Sequence, residues 1–141
     1  MIANDPIGDP RLADALLQKV RAALPDAMAL YAFGSRVHGT SGPESDLDLA
    51  VLVESYADPV KLWELASELA DLVSCEVDLL DMRAASTVMQ YQILTTGNRL
   101  WAKDHRVGLF ESFVLSEKTA LDQARAGLLA DIEREGKIHG G

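Results

Sequence analysis

Cysteine is almost missing. Cys75 is the sole one in 141 residues, so no disulfide framework can brace the fold, which agrees with a reducing compartment. Its place between a helical and a strand pattern points to buried packing, not a reactive thiol. Basic residues are also scarce: 13 Lys and Arg stand against 22 Asp and Glu, for a net charge of −9. Binding to a phosphate backbone draws its affinity from clustered cations, and no basic stripe occurs, so autonomous nucleic-acid binding is disfavoured. No apolar run approaches the roughly 18 residues of a membrane span. The opening Met1-Ile2-Ala3-Asn4-Asp5 lacks the basic-then-apolar order of a secretory leader, so a cytoplasmic protein with no membrane partner is expected. Repeats, low-complexity segments and linkers are lacking too. The surplus acidity is left to serve solubility, a basic partner, or a site for divalent cations.

What is present is an ordinary globular balance, 48% hydrophobic and 25% charged. It suits one domain over residues 1–141, with a core at about 29–102 and a helical segment at about 104–135. Asp9-Pro10 and Asp58-Pro59 each place a carboxylate cap before a proline of a first helical turn. Leu12, Leu16, Val20 and Ala23 give the first helix one apolar face, which Leu24-Pro25 ends. Leu62, Leu65, Ala66, Leu69, Leu72 and Val73 give the second its stripe. Strands are expected at 29–33, 46–53 and 76–82, a third helix over 84–96 closed by Gly97, and a short edge strand at 100–102. Phe110, Phe113, Val114, Leu121, Leu128 and Ile132 form the apolar set of a last helix that Gly136 ends. The fold class is α/β (α+β), a small mixed sheet with about four helices.

The chemistry gathers at two places. Gly34-Ser35 closes the first strand in a glycine turn, which offers backbone N–H groups and a hydroxyl to phosphate oxygens. Ten residues later comes Asp46-Leu47-Asp48, where strict alternation sets both carboxylates on one strand face. Carboxylates so close repel unless a cation lies between them. Magnesium suits them, and two such ions about 4 Å apart can clamp an in-line displacement at phosphorus. A third carboxylate is offered by Asp78, mid-strand between Val77 and Leu79, where an acidic group is costly without a partner. Asp81, nearer the strand end, is explained by a turn or a cap.

Gly-Ser, a ten-residue gap, Asp-x-Asp and an Asp on a later strand resemble the signature of the DNA polymerase beta-like nucleotidyltransferase superfamily. The likeness covers roughly residues 29–102. Gly34-Ser35-Arg36 and Ser45-Asp46-Leu47-Asp48-Leu49 look most like its minimal (MNT) members, the antitoxin partners of HEPN-domain ribonuclease toxins. That resemblance implies the nucleotidyltransferase fold and a magnesium-dependent protein adenylyltransferase. ATP would supply AMP to a tyrosine hydroxyl of the toxin, and pyrophosphate would leave. By the same resemblance Gly34 and Ser35 bind the triphosphate, Asp46 and Asp48 hold the metals, and Asp78 helps hold one of them and favours deprotonation of the hydroxyl. Many relatives follow Gly-Ser-Arg with a small residue and a second arginine. Here Val37-His38-Gly39 follows, leaving Arg36 as the nearby phosphate-binding cation.

Blander readings cover the rest. Trp63 and Trp101 fall in apolar patterns and are read as core. Tyr31 is read as core too, near enough to the loop to line a base pocket. His105 and His139 are read as solvated, and His38 as either a loop residue or a nucleotide contact. The last helical stripe either packs on the sheet, the favoured reading, or binds a partner. Two functional alternatives stand beside adenylyl transfer: an antitoxin that acts by occlusion alone, and nucleotidyl transfer to a small molecule, for which 141 residues leave little space.

Overall fold

A computed structural model describes residues 8–34 and 46–139, with side chains of the last helix described as far as Arg134. The described residues form α1 (Pro10–Ala23), β1 (Ala27–Phe33), β2 (Leu47–Val53), α2 (Pro59–Val73), β3 (Val77–Asp81), α3 (Thr87–Thr96), β4 (Asn98–Ala102) and α4 (Arg106–His139). Both Asp-Pro starts behave as capping chemistry requires. Asp9 accepts from the Arg11 N–H and Asp58 from the Val60 N–H, so each carboxylate satisfies a donor the helix leaves orphaned.

The strands lie in the order β3-β2-β1-β4. β1 runs antiparallel to β2 and β4, while β2 and β3 are parallel, joined by α2 as a crossover. Leu30, Leu47, Leu49, Val51 and Leu79 pack against α1 and α2 on one face. Tyr31, Ala50, Leu52, Met82, Ile93 and Val107 form a second core under α3 and α4 on the other. The two central strands are thereby covered on both sides, which is why β1 reads as an almost continuous apolar run. No helix among the described residues is long and apolar enough to cross a membrane.

Several boundaries move from the sequence expectation. α3 starts at Thr87 instead of Ala84, because residues 82–85 form a turn and Ser86 is the cap, accepting from the Met89 N–H. β4 takes in Asn98 and Arg99, which pair with Ala32 and Tyr31. α4 passes through Gly136 to His139. Trp63 is corrected outright: it is 75% exposed, one residue out of step with the buried Leu62, Leu65, Leu69 and Val73 and so carried to the solvent side of α2. Trp101 does pack beside the first core, under the Arg21 guanidinium at 4.5 Å. Cys75 packs there as well.

Gly97 lets α3 end hard against β1. A Cβ at this position would lie 2.6 Å from the Ile93 carbonyl oxygen and 2.7 Å from that of Ala32. Both are backbone atoms and cannot swing away. Gly97→Ala is therefore expected to cost about 1–3 kcal/mol in urea unfolding, the usual range for overpacking. A change below about 0.5 kcal/mol would show the approach to be slack.

Candidate functional site

One edge of the sheet collects the acidic residues, and the ladders dictate that. The C-terminal end of β1 and the N-terminal ends of β2, β3 and β4 share this edge. Phe33 pairs with Asp48, and Asp48 pairs in turn with Asp78. Leu47, Leu49, Val77 and Leu79 point into the layer of α1 and α2. Alternation then sends Asp48 and Asp78 out of the opposite face, side by side on neighbouring strands. Asp46, exposed just ahead of β2, is two residues from Asp48 and keeps the same phase.

Gly34 brings the main chain against this pair. Its φ is +83°, in the left-handed region where side chains are strained. A Cβ there would also run into the Asp48 Oδ2. Only glycine permits both the turn and the approach, so the start of the loop is held against a carboxylate. Ser35, Arg36 and His38 lie outside the described residues.

The electrostatics follow from the crowding. Burial, then the neighbouring Asp78, then Asp46 push the Asp48 carboxyl above the ordinary carboxylate value. Each cause penalises the charged form, and among the described residues no cation offsets them. Among the described residues, no three His, Cys, Asp or Glu side chains close a metal shell by themselves. Hard carboxylate oxygens open to solvent nevertheless fit magnesium, which takes one or two protein carboxylates and leaves its remaining positions to phosphate oxygens and water.

Asp81 is separated from this group by its bonding as well as by its position. It is 9% exposed. Its Oδ2 accepts from the Ala57 N–H at 2.9 Å and its Oδ1 from the Arg83 N–H at 3.0 Å. It ties the end of β3 to the segment before α2, as a structural carboxylate.

Two residues that the sequence did not single out, Arg99 and Glu111, meet Tyr31 over the same sheet face. Tyr31 is core, and its hydroxyl donates to Glu111 Oε2 of α4 at 2.7 Å. Arg99 of β4 pairs with Glu111 at 3.0 Å. Burial and the adjacent Glu111 both hold the Tyr31 hydroxyl protonated. The three line a cleft of about 410 Å³ with Ile93, Thr95 and Gly97. Nothing in the spacing of Arg99 and Glu111 signals that they meet; the β1–β4 register brings them together. A larger cavity, about 460 Å³, lies beside Trp101 and Arg21 and contains none of the acidic group.

Residues 17–106 match the family described as polymerase beta, nucleotidyltransferase. The chain is 35% identical over 117 residues to the protein adenylyltransferase MntA of Shewanella oneidensis, covering 83% of this chain and 84% of that one. Among solved structures, a toxin–antitoxin with AMP-PNP superposes with a TM-score of 0.75 at 34% identity, covering 84% of this chain and 96% of the other. A complex of tri-AMPylated Shewanella oneidensis HEPN toxin with its MNT antitoxin gives 0.69 at 32% identity, covering 84% and 93%.

The two kinds of carboxylate should respond differently to mutation. Asp81→Ala strands two N–H groups and is expected to cost about 1–3 kcal/mol in denaturant melts. Asp78→Ala, exposed and with no such bond among the described residues, is expected to change stability by less than about 0.5 kcal/mol. Equal losses would refute the division.

The pH dependence has a definite sign. Because the folded-state value of Asp48 is raised, the unfolded chain loses its proton first as pH rises. Folding stability therefore falls through the window above the ordinary carboxylate value. In metal-free protein Asp48→Asn should raise the melting temperature at neutral pH and leave it unchanged near pH 3. A gain of the same size at both pH values would remove repulsion as its cause.

Proposed function

This chain belongs to the polymerase beta nucleotidyltransferase family, and we propose that it is the adenylyltransferase antitoxin of a toxin–antitoxin pair. It transfers AMP from ATP to a tyrosine hydroxyl of a HEPN-type ribonuclease toxin in the cytoplasm and so silences it. The observation that carries this reading is the register of Asp48 against Asp78 beside Gly34. A fold that needed only to bind would gain nothing from holding carboxylates where they repel. The kinship with MntA, and the AMP-PNP and AMPylated complexes of its relatives, supply the nucleotide and the class of acceptor.

Each residue then has a task. The Gly34-Ser35 turn, with Arg36, receives the triphosphate through N–H, hydroxyl and guanidinium donors. Asp46, Asp48 and Asp78 would hold two magnesium ions, which once bound polarise the phosphate oxygens as Lewis acids. Asp48, crowded by two acidic neighbours, gains most from the arrival of positive charge. Asp78, on the outer strand, faces the side from which a protein acceptor can approach, and accepts the proton of the incoming hydroxyl. The acceptor oxygen bonds to the α-phosphorus, the bond to the bridging oxygen breaks, and pyrophosphate leaves with the electron pair.

Co-expression with a HEPN-type toxin, followed by intact mass measurement, tests this directly. The toxin should gain the mass of one or more AMP groups. Asp46→Asn with Asp48→Asn, or chelation of magnesium, should reduce the rate by more than the ~10–100-fold typical of groups that merely orient a metal ligand. An adduct that persists in the double variant would remove these residues from the chemistry. Neutralisation by the double variant without any adduct would leave occlusion as the mode of action.

A further inference from the structure

α4 runs on past the body that supports it. Arg106 starts it beside Glu54 at the far end of the sheet, with a 3.3 Å ion pair. Glu111 then meets Tyr31 and Arg99, and Lys118 covers the Tyr91 ring of α3 at 4.8 Å. From Asp122 to Arg134 every residue is exposed. That stretch advances about 18 Å along its axis. It leaves the body on the sheet face that carries Tyr31, which is also the face of Asp48 and Asp78.

The seam that seats α4 does not stop where the body does. Val107 and Val114 are buried. Seven-residue steps lead from them to Leu121, half-buried, and to Leu128, 60% exposed, with Ile132 one turn further and 55% exposed. An α-helix satisfies its own backbone, so such a stripe attracts a partner through side chains alone, and i, i+4, i+7 anchors are those of helix-against-helix docking.

Arg125 narrows the identity of that partner. Its position on the helix falls between Leu121, Leu128 and Leu129, within the stripe, and among the described residues it forms no ion pair. A second copy of this chain, paired antiparallel about the middle of the stripe, would set each Arg125 opposite a leucine and desolvate it without compensation. A different protein, with an apolar helical ridge interrupted by one carboxylate, would meet both features.

We propose that the distal half of α4, anchored by Leu128 and Ile132 with Arg125 between them, docks a helix of the protein substrate. It thereby delivers the acceptor tyrosine to the carboxylate edge. This rests on the adenylyltransferase reading and adds the means by which so small a module selects its acceptor.

The test measures AMP transfer to a purified HEPN-type toxin by the full chain, with Leu128→Asp and Ile132→Asp combined, and with Arg125→Glu alone. KM for the toxin should rise at least ~10-fold in the double variant, as loss of two interface anchors requires, with kcat within about twofold. ATP affinity and melting temperature should stay at wild-type values, since neither side chain is packed in the isolated chain. Arg125→Glu should raise KM most at low salt. Leu128→Met with Ile132→Val should restore KM. An unchanged KM in the aspartate variant overturns the docking assignment while leaving the transfer reaction intact. So does a wild-type dimer in sedimentation that the aspartates split, because the stripe then belongs to a second copy. Absence of transfer by the wild-type chain would instead overturn the reaction, and the docking surface with it.

Discussion

The parallel ladder between β2 and β3 forces two like charges into register, and the rest of the site is arranged around that repulsion. Strand pairing fixes Asp48 and Asp78 on the same pleat, so they cannot separate without breaking hydrogen bonds that also hold Leu47, Leu49 and Leu79 in the core. The apolar layer beneath, under α1 and α2, supplies the stability that the acidic edge gives up. Leucines on one side fix the position of the aspartates on the other, at one side chain per residue and with no room for slippage.

Gly34 and Asp81 show how narrowly the environment divides similar residues. Gly34 meets the Asp48 carboxylate with bare backbone, whereas Asp81 lies three residues beyond Asp78 and spends both oxygens on N–H groups of its own chain. A carboxylate with its lone pairs committed to N–H donors is a brace; one crowded by acidic neighbours has its charged form penalised. The difference lies in the backbone donors within reach, and the residue type does not reveal it.

That contrast sets the limit of what the sequence discloses. Local chemistry was legible: the Asp-Pro caps, the alternation that puts Asp46 and Asp48 in phase, the reading of Asp81 as a turn or cap carboxylate, and the stripe of α2. Each depends on residues a few positions apart. The misreadings arise where distant segments decide. Trp63 is the local exception, since the stripe of α2 itself sets it one residue out of phase and on the solvent side. The Tyr31–Glu111–Arg99 contact joins three elements whose meeting depends on the β1–β4 register. The last helix looked like a sheet-packing stripe, and its first turns are that. Its further half outruns the body, which periodicity cannot express because it measures the phase of a helix and not the extent of what lies beneath it.

The crossover through α2 has a consequence for the order in which the protein assembles. β2, α2 and β3 form one continuous stretch, Leu47–Asp81, so the two aspartates can be brought abreast by a short-range closure. β1 must find β4 across some seventy residues before Gly97 can lock under it, and such distant closures are slow. The repelling pair is then in place before the outer strand shuts the sheet. The nascent chain would meet its electrostatic obstacle early, while few contacts exist to absorb it.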